Sequence, residues 1–459
     1  MTAQTKTRRA RGSFRDPSGF VFFNQGIPYR QVNVIAKSDF EQLYRSGLYA
    51  ELVKNNFLVK HHPASNKLIS SPEGYKVVRP QKIAFISYPY EWCFSQLKAA
   101  AMLTLRIQIL ALEHGMSLKD ASGYNIQFMG THPVHIDILS FEVYKQGEPW
   151  VAYRQFCQHF LAPLILMAKK DVRLNQLLKI YIDGIPLDLT VSLLPFFTKV
   201  NLGVFSHLIL HAKSQAYFSG KQVRLIKFKL NKASLFSLIT SLEQTISQLS
   251  LGGVKSEWSD YYSFTNYSDR SLRHKRKLVE AFIKLSRPKI LWDLGANAGN
   301  FSVLASKNGI YTVAFDIDPL AVEAGFTQHK SESKFLPLTL DLTNPSSGIG
   351  WANEERLSLR QRGPADTVMA LALVHHLAIS NNLPIEMIAS HLAALGKYLI
   401  IEFIPKSDSQ VQKLLATRKD IFPEYHEQGF EATFAKYFQV IKKAYISNSR
   451  RSLYLLKRK

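Results

Sequence analysis

The fold is decided by the stretch Lys289-Ile-Leu-Trp-Asp293-Leu-Gly295-Ala-Asn297-Ala-Gly299-Asn-Phe-Ser302. An apolar run passes into an acid, then into a Gly-rich turn, and then into a helix start. Gly295 lets a ligand approach the backbone, Asn297 is of a type that tolerates a positive φ, and Gly299 allows close helix-to-strand packing. The pattern predicts a strand, a turn and a helix that bind a cofactor at the turn.

The next two predicted strands also end in acids. Tyr311-Thr-Val-Ala-Phe-Asp316-Ile-Asp318 reads as a second strand, and Phe335-Leu-Pro-Leu-Thr-Leu-Asp341 as a third. An acid at the end of the second strand is within reach of ribose hydroxyls in dinucleotide-binding folds. Asp316 is therefore the candidate ribose ligand.

The remainder of this half alternates strands and helices, as a doubly wound parallel sheet requires. Asp366-Thr-Val-Met-Ala-Leu-Ala-Leu-Val-His-His-Leu377 is a nearly unbroken apolar run, typical of a strand buried on both faces. The other predicted elements are a fifth strand at 397–404, three helices at 320–330, 384–395 and 410–418, and a closing antiparallel strand pair at 438–446 and 452–456. The predicted fold class is α/β.

This half resembles the class I S-adenosylmethionine (SAM)-dependent methyltransferases, whose first motif reads acid-x-Gly-x-Gly-x-Gly after the first strand. Asn297 takes the place of the middle glycine here. The motif alone would also suit a tight turn without a ligand, so the other strands carry much of the assignment. The resemblance implies a seven-stranded Rossmann-like sheet that binds SAM through seven residues: Asp293, Gly295, Asn297, Gly299, Asp316, Asp341 and Ala370.

Methyl transfer requires mainly that the acceptor be aligned with the methyl carbon. A general base is needed when the acceptor arrives protonated, as a hydroxyl or an ammonium does. His375 and His376 follow the fourth strand, near the expected cleft mouth, and are the best candidates, with Glu402 next. The alternative is a structural histidine pair that packs or caps a helix.

Composition limits the other classes of function. The chain has 459 residues and is 46% hydrophobic, which predicts two or three globular domains. Cys93 and Cys157 lack C-x-x-C spacing, so we expect neither a disulfide framework nor a metal site. We expect a reducing cytoplasm as the setting.

The basic start of the chain has no apolar segment after it, which argues against a secretory signal. Residues 187–211 are apolar but interrupted, and are predicted to be buried helices rather than a membrane span.

The chain is strongly basic, with 58 Lys and Arg against 35 Asp and Glu. Residues 212–234 and 441–459 each hold several basic residues and no acid. Such clusters suit nucleic acid or an anionic surface as partners, and aromatic residues in the first cluster favour nucleic acid slightly. A solvated basic face is the alternative.

Three segments are expected along the chain: a basic flexible tail at 1–15, an α+β domain at 16–250, and the methyltransferase domain at 251–459. Two glycines mark the last boundary. The aromatic-rich segment 258–267 and a helix at 269–285 would cap the cofactor cleft, or would only pack. We expect the first domain to form one wall of the acceptor cleft, with three junction residues, Tyr261, Tyr262 and Tyr267.

The first domain has one pattern with chemical meaning. A hairpin at 18–33 and a helix at 94–114 precede Asp120, Asn125 and Asp137, whose spacing resembles a protein-kinase catalytic loop and metal-binding acid. The resemblance implies a nucleotide and Mg²⁺ site. However, G-x-G-x-x-G, V-A-I-K and D-F-G are missing. A working phosphotransferase, a kinase-like scaffold and an unrelated α+β domain all stay open.

Across nearly its whole length the chain also resembles a bacterial group of large methyltransferase-like proteins linked to nodulation host specificity. The resembling segments are 85–92, 119–128, 150–157 and 370–377. The resemblance implies a SAM-dependent methyltransferase whose acceptor, a small molecule or a protein, is unidentified and is selected with help from the first domain. The alternative is a binding or regulatory scaffold, or a phosphotransferase, led by the kinase-like part.

Overall fold

The computed structural model describes residues 8–199, 203, 205–209, 231–252, 268–416 and 418–459. The chain divides into two compact units. The N-terminal unit comprises Met1–Phe128, Pro133–Val254 and Gly348–Arg356, and the C-terminal unit comprises Met129–His132, Lys255–Ser347 and Leu357–Lys459. The main change of unit lies four residues after the predicted boundary, and each unit also includes one short segment from the other half of the sequence.

The N-terminal unit begins with an antiparallel sheet. Its strands are β1 (Arg8–Arg9), β2 (Gly19–Asn24), β3 (Ile27–Asn33), β4 (His61–Pro63) and β5 (Gly74–Pro80), in the order β1-β2-β3-β5-β4. The predicted hairpin is confirmed, and its two turn residues, Gln25 and Gly26, have φ of 52° and 76°. Within the segment predicted as a flexible tail, Arg8 and Arg9 form β1, which pairs with β2 and places Arg8 opposite Phe23.

Two small sheets follow in the chain. β6 (Met116–Leu118) pairs with β9 (Phe141–Val143), and β7 (Ile126–Met129) pairs with β8 (His132–His135). The helices of this part are α1 (Lys37–Arg45), α2 (Leu48–Lys54), α3 (Phe94–Glu113), α4 (Tyr153–Phe156), α5 (Ala162–Lys169), α6 (Leu177–Ile180), α7 (Leu187–Leu193), α8 (Phe196–Lys199) and α9 (Lys232–Ser247). The predicted helix at 94–114 is α3.

The apolar stretch at 187–211 is helical where it is described, but it is not buried throughout. Leu187 of α7 is buried, whereas Phe196 and Phe197 at the start of α8 are 74% and 85% exposed. Short helices separated by Pro195 cannot turn every apolar side chain to one core, which is why the prediction of buried helices fails there. No helix in the described ranges is long and apolar enough to cross a membrane.

The C-terminal unit is built on the predicted sheet. Its strands are β10 (Ile290–Leu294), β11 (Tyr311–Asp316), β12 (Phe335–Thr339), β13 (Ala365–Ala370), β14 (Gly396–Phe403), β15 (Phe438–Tyr445) and β16 (Ser452–Arg458). Within the described residues the order is β12-β11-β10-β13-β14-β16-β15, parallel except for β16, which is antiparallel to both neighbours. The seven-stranded α/β sheet is confirmed.

Helices cover this sheet. They are α10 (Asp269–Ser286), α11 (Ser302–Lys307), α12 (Pro319–Gln328), α13 (Leu359–Arg362), α14 (Ile385–Leu395), α15 (Ser409–Leu415) and α16 (Glu427–Ala435). The core joins Val279 and Phe282 of α10 to Leu291, Met369 and Ile400 of three central strands. Burial of the apolar stripe of α10 therefore fixes this helix on the sheet.

The fourth strand is shorter than predicted. β13 ends at Ala370, the backbone bends at Ala372 with φ of 49°, and His376–Ser380 forms a π-helical turn. An apolar run looks the same in a buried strand and a buried helical turn, so periodicity cannot locate this end. His375 and His376 therefore follow the strand, as predicted, and His376 is the first residue of the π-helical turn.

Candidate cofactor-binding site

A cavity of about 440 Å³ lies at the carboxyl ends of the parallel strands in the C-terminal unit. The strand register aligns Asp293 with Met369 on one side and with Ala314 on the other. The side chains that follow β10, β11 and β13 therefore meet at one edge of the sheet. The predicted site residues that line the cavity are Asp293, Gly295, Asn297, Asp316, Asp341 and His376.

The Gly-rich turn is held by backbone hydrogen bonds. The N–H groups of Gly295 and Ala296 both donate to the Phe315 carbonyl, each at 2.9 Å. Gly295 and Asn297 have φ of 73° and 50°. A Cβ at Gly295 would stand 3.1 Å from Leu373 Cδ1, so glycine keeps the cavity open at this point.

Asp316 links the turn to the second strand. Its Oδ2 accepts the Asn297 N–H at 2.6 Å, and its Oδ1 accepts the Asp318 N–H at 2.9 Å. Burial raises the pKa of Asp316 to about 6, against the hydrogen bonds from Asp318 and Asn297. The carboxylate lines the cavity, as a ribose ligand must.

Asp293 lies deeper than Asp316. It is buried and its Oδ2 accepts a hydrogen bond from Ser302 Oγ at 2.6 Å. Burial raises its pKa to about 7, and the nearby Asp316 adds to the shift while Ser302 opposes it. Asp293 therefore ties the end of β10 to the start of α11 and also lines the cavity floor.

The other predicted cofactor residues differ in position. Asp341 lines the cavity and accepts the Thr343 N–H and Oγ1–H at 2.8 and 2.7 Å. Gly299 lies outside the lining, where a Cβ would come within 2.5 Å of the Phe335 ring, so it serves packing. Ala370 is buried at the end of β13, and the next residues, Leu371 and Ala372, form the cavity wall instead.

The three catalytic candidates differ in whether their side chains reach the cavity. His376 lines the cavity, and burial lowers its pKa, which favours the neutral base. His375 packs against His376 with ring centroids 4.2 Å apart, but it is buried, and burial lowers its pKa as well. Glu402 is fully buried and bonded to Lys275 and to the Ala372 N–H, so it lies behind the wall rather than in it.

Lys275 is a cavity residue that the sequence reasoning missed. It lies on α10, lines the cavity, and is 3% exposed. The sequence did contain a signal for this residue. Lys275 occupies the same helix face as the apolar residues Leu272, Val279 and Phe282. A cation on the buried stripe of a helix needs a partner or a ligand.

The cavity suits SAM. Its volume falls in the range of ligand pockets. Asp316 and Asp341 supply acceptors for hydroxyl and amino groups, the positive φ values bring backbone close to the ligand space, and apolar Leu340 and Leu342 line the same wall. Five of the seven predicted cofactor residues line this cavity, and their contacts with the cofactor stay a prediction.

The segments that carry the three kinase-like residues are in contact, since the Ile136 N–H donates to the Asn125 carbonyl at 2.9 Å. Asn125 Nδ2 donates to Ser140 Oγ at 3.1 Å, and Asp120 and Asp137 both act electrostatically on the buried His135. Asp120 accepts the Ser122 N–H at 2.9 Å, as in a turn. No group of three or more His, Cys, Asp or Glu side chains in the described part of the chain could hold a metal ion.

Asp137 forms an ion pair with the side chain of Arg30. Its Oδ1 lies 2.7 Å from Arg30 Nη2 and accepts the Leu139 N–H at 2.8 Å. Burial opposes ionisation, but the Arg30 guanidinium holds the pKa of Asp137 below its usual value. The ion pair gives Asp137 a structural role, and the nucleotide and Mg²⁺ site stays a prediction. The junction residues Tyr261, Tyr262 and Tyr267 and most of the basic cluster at 212–234 lie outside the described residues.

Comparison with known proteins identifies a relative along the whole chain. The nodulation protein NoeA of Rhizobium meliloti (strain 1021) is 35% identical over 473 residues, an alignment that covers 100% of this chain and 98% of the relative. No protein-family model matches the chain.

Solved structures resemble part of the chain. Magnesium protoporphyrin IX methyltransferase from Synechocystis PCC 6803, with bound SAH, is 19% identical at a TM-score of 0.31, over 44% of this chain and 93% of the other. The N-methyltransferase NodS from Bradyrhizobium japonicum WM9 is 11% identical at a TM-score of 0.30, over 42% of this chain and 98% of the other.

Proposed function

The chain belongs to the family of the nodulation protein NoeA. We propose that it is a SAM-dependent methyltransferase that methylates a hydroxyl- or amine-bearing acceptor chosen with help from the N-terminal unit. The observation that carries the proposal is the cavity at the carboxyl ends of the strands, lined by Asp293, Asp316, Asp341 and His376.

SAM, when bound, supplies a methyl group activated by its sulfonium. The chain's own residues then have two tasks, to hold the cofactor and to align the acceptor. Asp316 and Asp341 provide the acceptors for the nucleoside, and the backbone at Gly295 and Asn297 allows close approach. Apolar lining residues such as Leu373 and Leu377 exclude water from the methyl path.

His376 is the residue we propose as the general base. Burial lowers its pKa, so the imidazole is neutral at neutral pH and is able to take the proton of a hydroxyl or an ammonium group. Glu402 is held in an ion pair with Lys275 at 2.7 Å and serves position rather than proton transfer. Among the residues that the structure describes, no cavity or side-chain cluster gives the scaffold and phosphotransferase alternatives comparable support.

Support for the N-terminal unit in acceptor choice comes from the relative, which matches this chain along both units. The first test is isothermal titration of the full chain with SAM, followed by transfer of labelled methyl groups into fractionated cell extract. Micromolar binding and a labelled fraction are expected. A folded chain that does not bind SAM would refute the function.

The second test exchanges residues 1–254 for the matching part of the nodulation relative. The exchanged protein should keep its SAM affinity and label a different fraction of the extract. An unchanged labelled fraction, with both proteins folded, would refute acceptor selection by the N-terminal unit while leaving methyl transfer intact.

A further inference from the structure

Lys275 places a positive charge at the wall of a cavity that is otherwise acidic. The charged residues among the lining that the structure describes are Lys275, Asp293, Asp316 and Asp341, beside the titratable His376. Lys275 Nζ also lies 4.8 Å from the centre of the Phe301 ring, another lining side chain. The salt bridge to Glu402 and the contact with the Phe301 ring thus fix the ammonium of Lys275 at the cavity wall.

Glu402 fixes that ammonium and the cavity wall together. Its Oε2 is 2.7 Å from Lys275 Nζ and accepts the Ala372 N–H at 2.9 Å. Ala372 has φ of 49°, an uncommon conformation for a residue with a Cβ, and it needs an outside constraint. One carboxylate oxygen therefore holds both α10 and the bend after β13.

The other oxygen of Glu402 continues the network. Oε1 lies 3.6 Å from Arg451 Nη1, and Arg451 pairs with Asp408 at 2.8 and 3.1 Å. Asp408 in turn caps α15 by accepting the Gln410 N–H at 3.0 Å, and Leu414 of that helix lines the cavity. Two cations and two carboxylates balance, so the network holds its charges without a ligand.

SAM carries a carboxylate at the end of its molecule that is remote from the adenosine. The acids of the cavity suit the nucleoside and the cationic sulfonium, and they would repel that carboxylate. Lys275 is the lining cation that can offset this repulsion. We propose that Lys275 binds the carboxylate of SAM and that Glu402 is a positioning residue, which holds Lys275 protonated and the Ala372 bend in place.

The inference rests on the proposed function, and its test uses binding rather than turnover. The probes are S-adenosylhomocysteine (SAH) and 5′-methylthioadenosine, which keeps the adenosine and the thioether but lacks the amino-acid end. Titration calorimetry should show that Lys275→Met weakens SAH by about 10- to 150-fold, the range of a charged hydrogen bond, and leaves methylthioadenosine within about twofold. Lys397→Met, at a lysine that is 60% exposed and paired with Asp366, is the matched control and should change neither.

A second variant covers the case in which Lys275→Met fails to fold because Glu402 is left without its ammonium. Lys275→Met/Glu402→Gln removes both charges and keeps an oxygen for the Ala372 N–H. It should show the same selective loss of SAH. If both variants fold and bind SAH and methylthioadenosine in the wild-type ratio, the assignment of Lys275 is overturned.

Glu402→Gln alone tests the positioning role. Burial lowers the pKa of Lys275, which is faced by Glu402, Arg451, Asp293 and His375, and without the Glu402 charge it loses its main reason to stay protonated. Between about pH 7 and about pH 9, SAH affinity should then fall more steeply in the variant than in the wild type. A profile no steeper in the variant than in the wild type overturns the role of Glu402. A wild type that binds neither probe overturns the proposed function as well.

Discussion

Removal of the Asp316 carboxylate should weaken SAM binding. In the structure this carboxylate lines the cavity at the end of β11, where the hydroxyls of a ribose would donate to it. A hydrogen bond to a charged group is worth roughly 1.5 to 3 kcal/mol. Asp316→Ala should therefore raise the dissociation constant of SAM by about 10- to 150-fold.

The same carboxylate supports the Gly-rich turn, so the test must separate binding from folding. Asp316 accepts two backbone N–H groups, from Asn297 and Asp318. Asp366 is a matched control, because it accepts the N–H groups of Lys289 and Ile290 at 3.0 and 3.1 Å, at the other end of β10. Asp366→Ala should lose a similar number of backbone bonds and keep its SAM affinity.

The pH dependence gives an independent check on Asp316. Only the ionised carboxylate accepts both ribose hydroxyls, and burial raises the pKa of Asp316 to about 6. Because the carboxylate is half protonated at its pKa of about 6, SAM affinity should fall as pH drops from about 7 to about 5. Calorimetric titrations from about pH 5 to about 8, with circular dichroism as the folding control, measure both effects. Unchanged affinity in a folded Asp316→Ala variant would falsify the site assignment.

Three further predictions concern catalysis and stability. His376→Asn should lower methyl transfer to the extract by about 10²- to 10⁴-fold with SAM affinity within about twofold, and equal loss of both would show that His376 only shapes the pocket. Gly299→Ala should lower the free energy of urea unfolding by about 1 to 3 kcal/mol, because φ is +80° and the new Cβ would lie 2.5 Å from the Phe335 ring. A smaller decrease in stability would mean that the ring moves aside. Arg30→Met leaves Asp137 buried without its cation and should lower the free energy of unfolding by about 3 to 5 kcal/mol. The folded variant should still bind SAM, which is the control. A variant as stable as the wild type would refute the role of the ion pair.

Much of the cofactor site could be read from the sequence because its parts are local. Gly295, Asn297 and Asp316 lie at the ends of strands whose apolar runs and turn residues are visible in a short window. The predicted strands differ from the observed ones mainly at their ends, as between Asp318 and Asp316 for β11. The exception is β13, where a continuous apolar run hid the bend at Ala372.

The sequence by itself determined the α/β class, the Gly-rich turn and the acids that follow the strands, since strand period and turn chemistry act over a few residues. Only the tertiary structure decided which charged groups meet. Lys275 and Glu402 are 127 positions apart, yet Lys275 Nζ and Glu402 Oε2 are 2.7 Å apart at the cavity wall. Arg30 likewise reaches Asp137 from a different strand pair. Such pairs form because burial makes an unpaired charge costly, and the chain pattern alone does not state which partner the fold will supply.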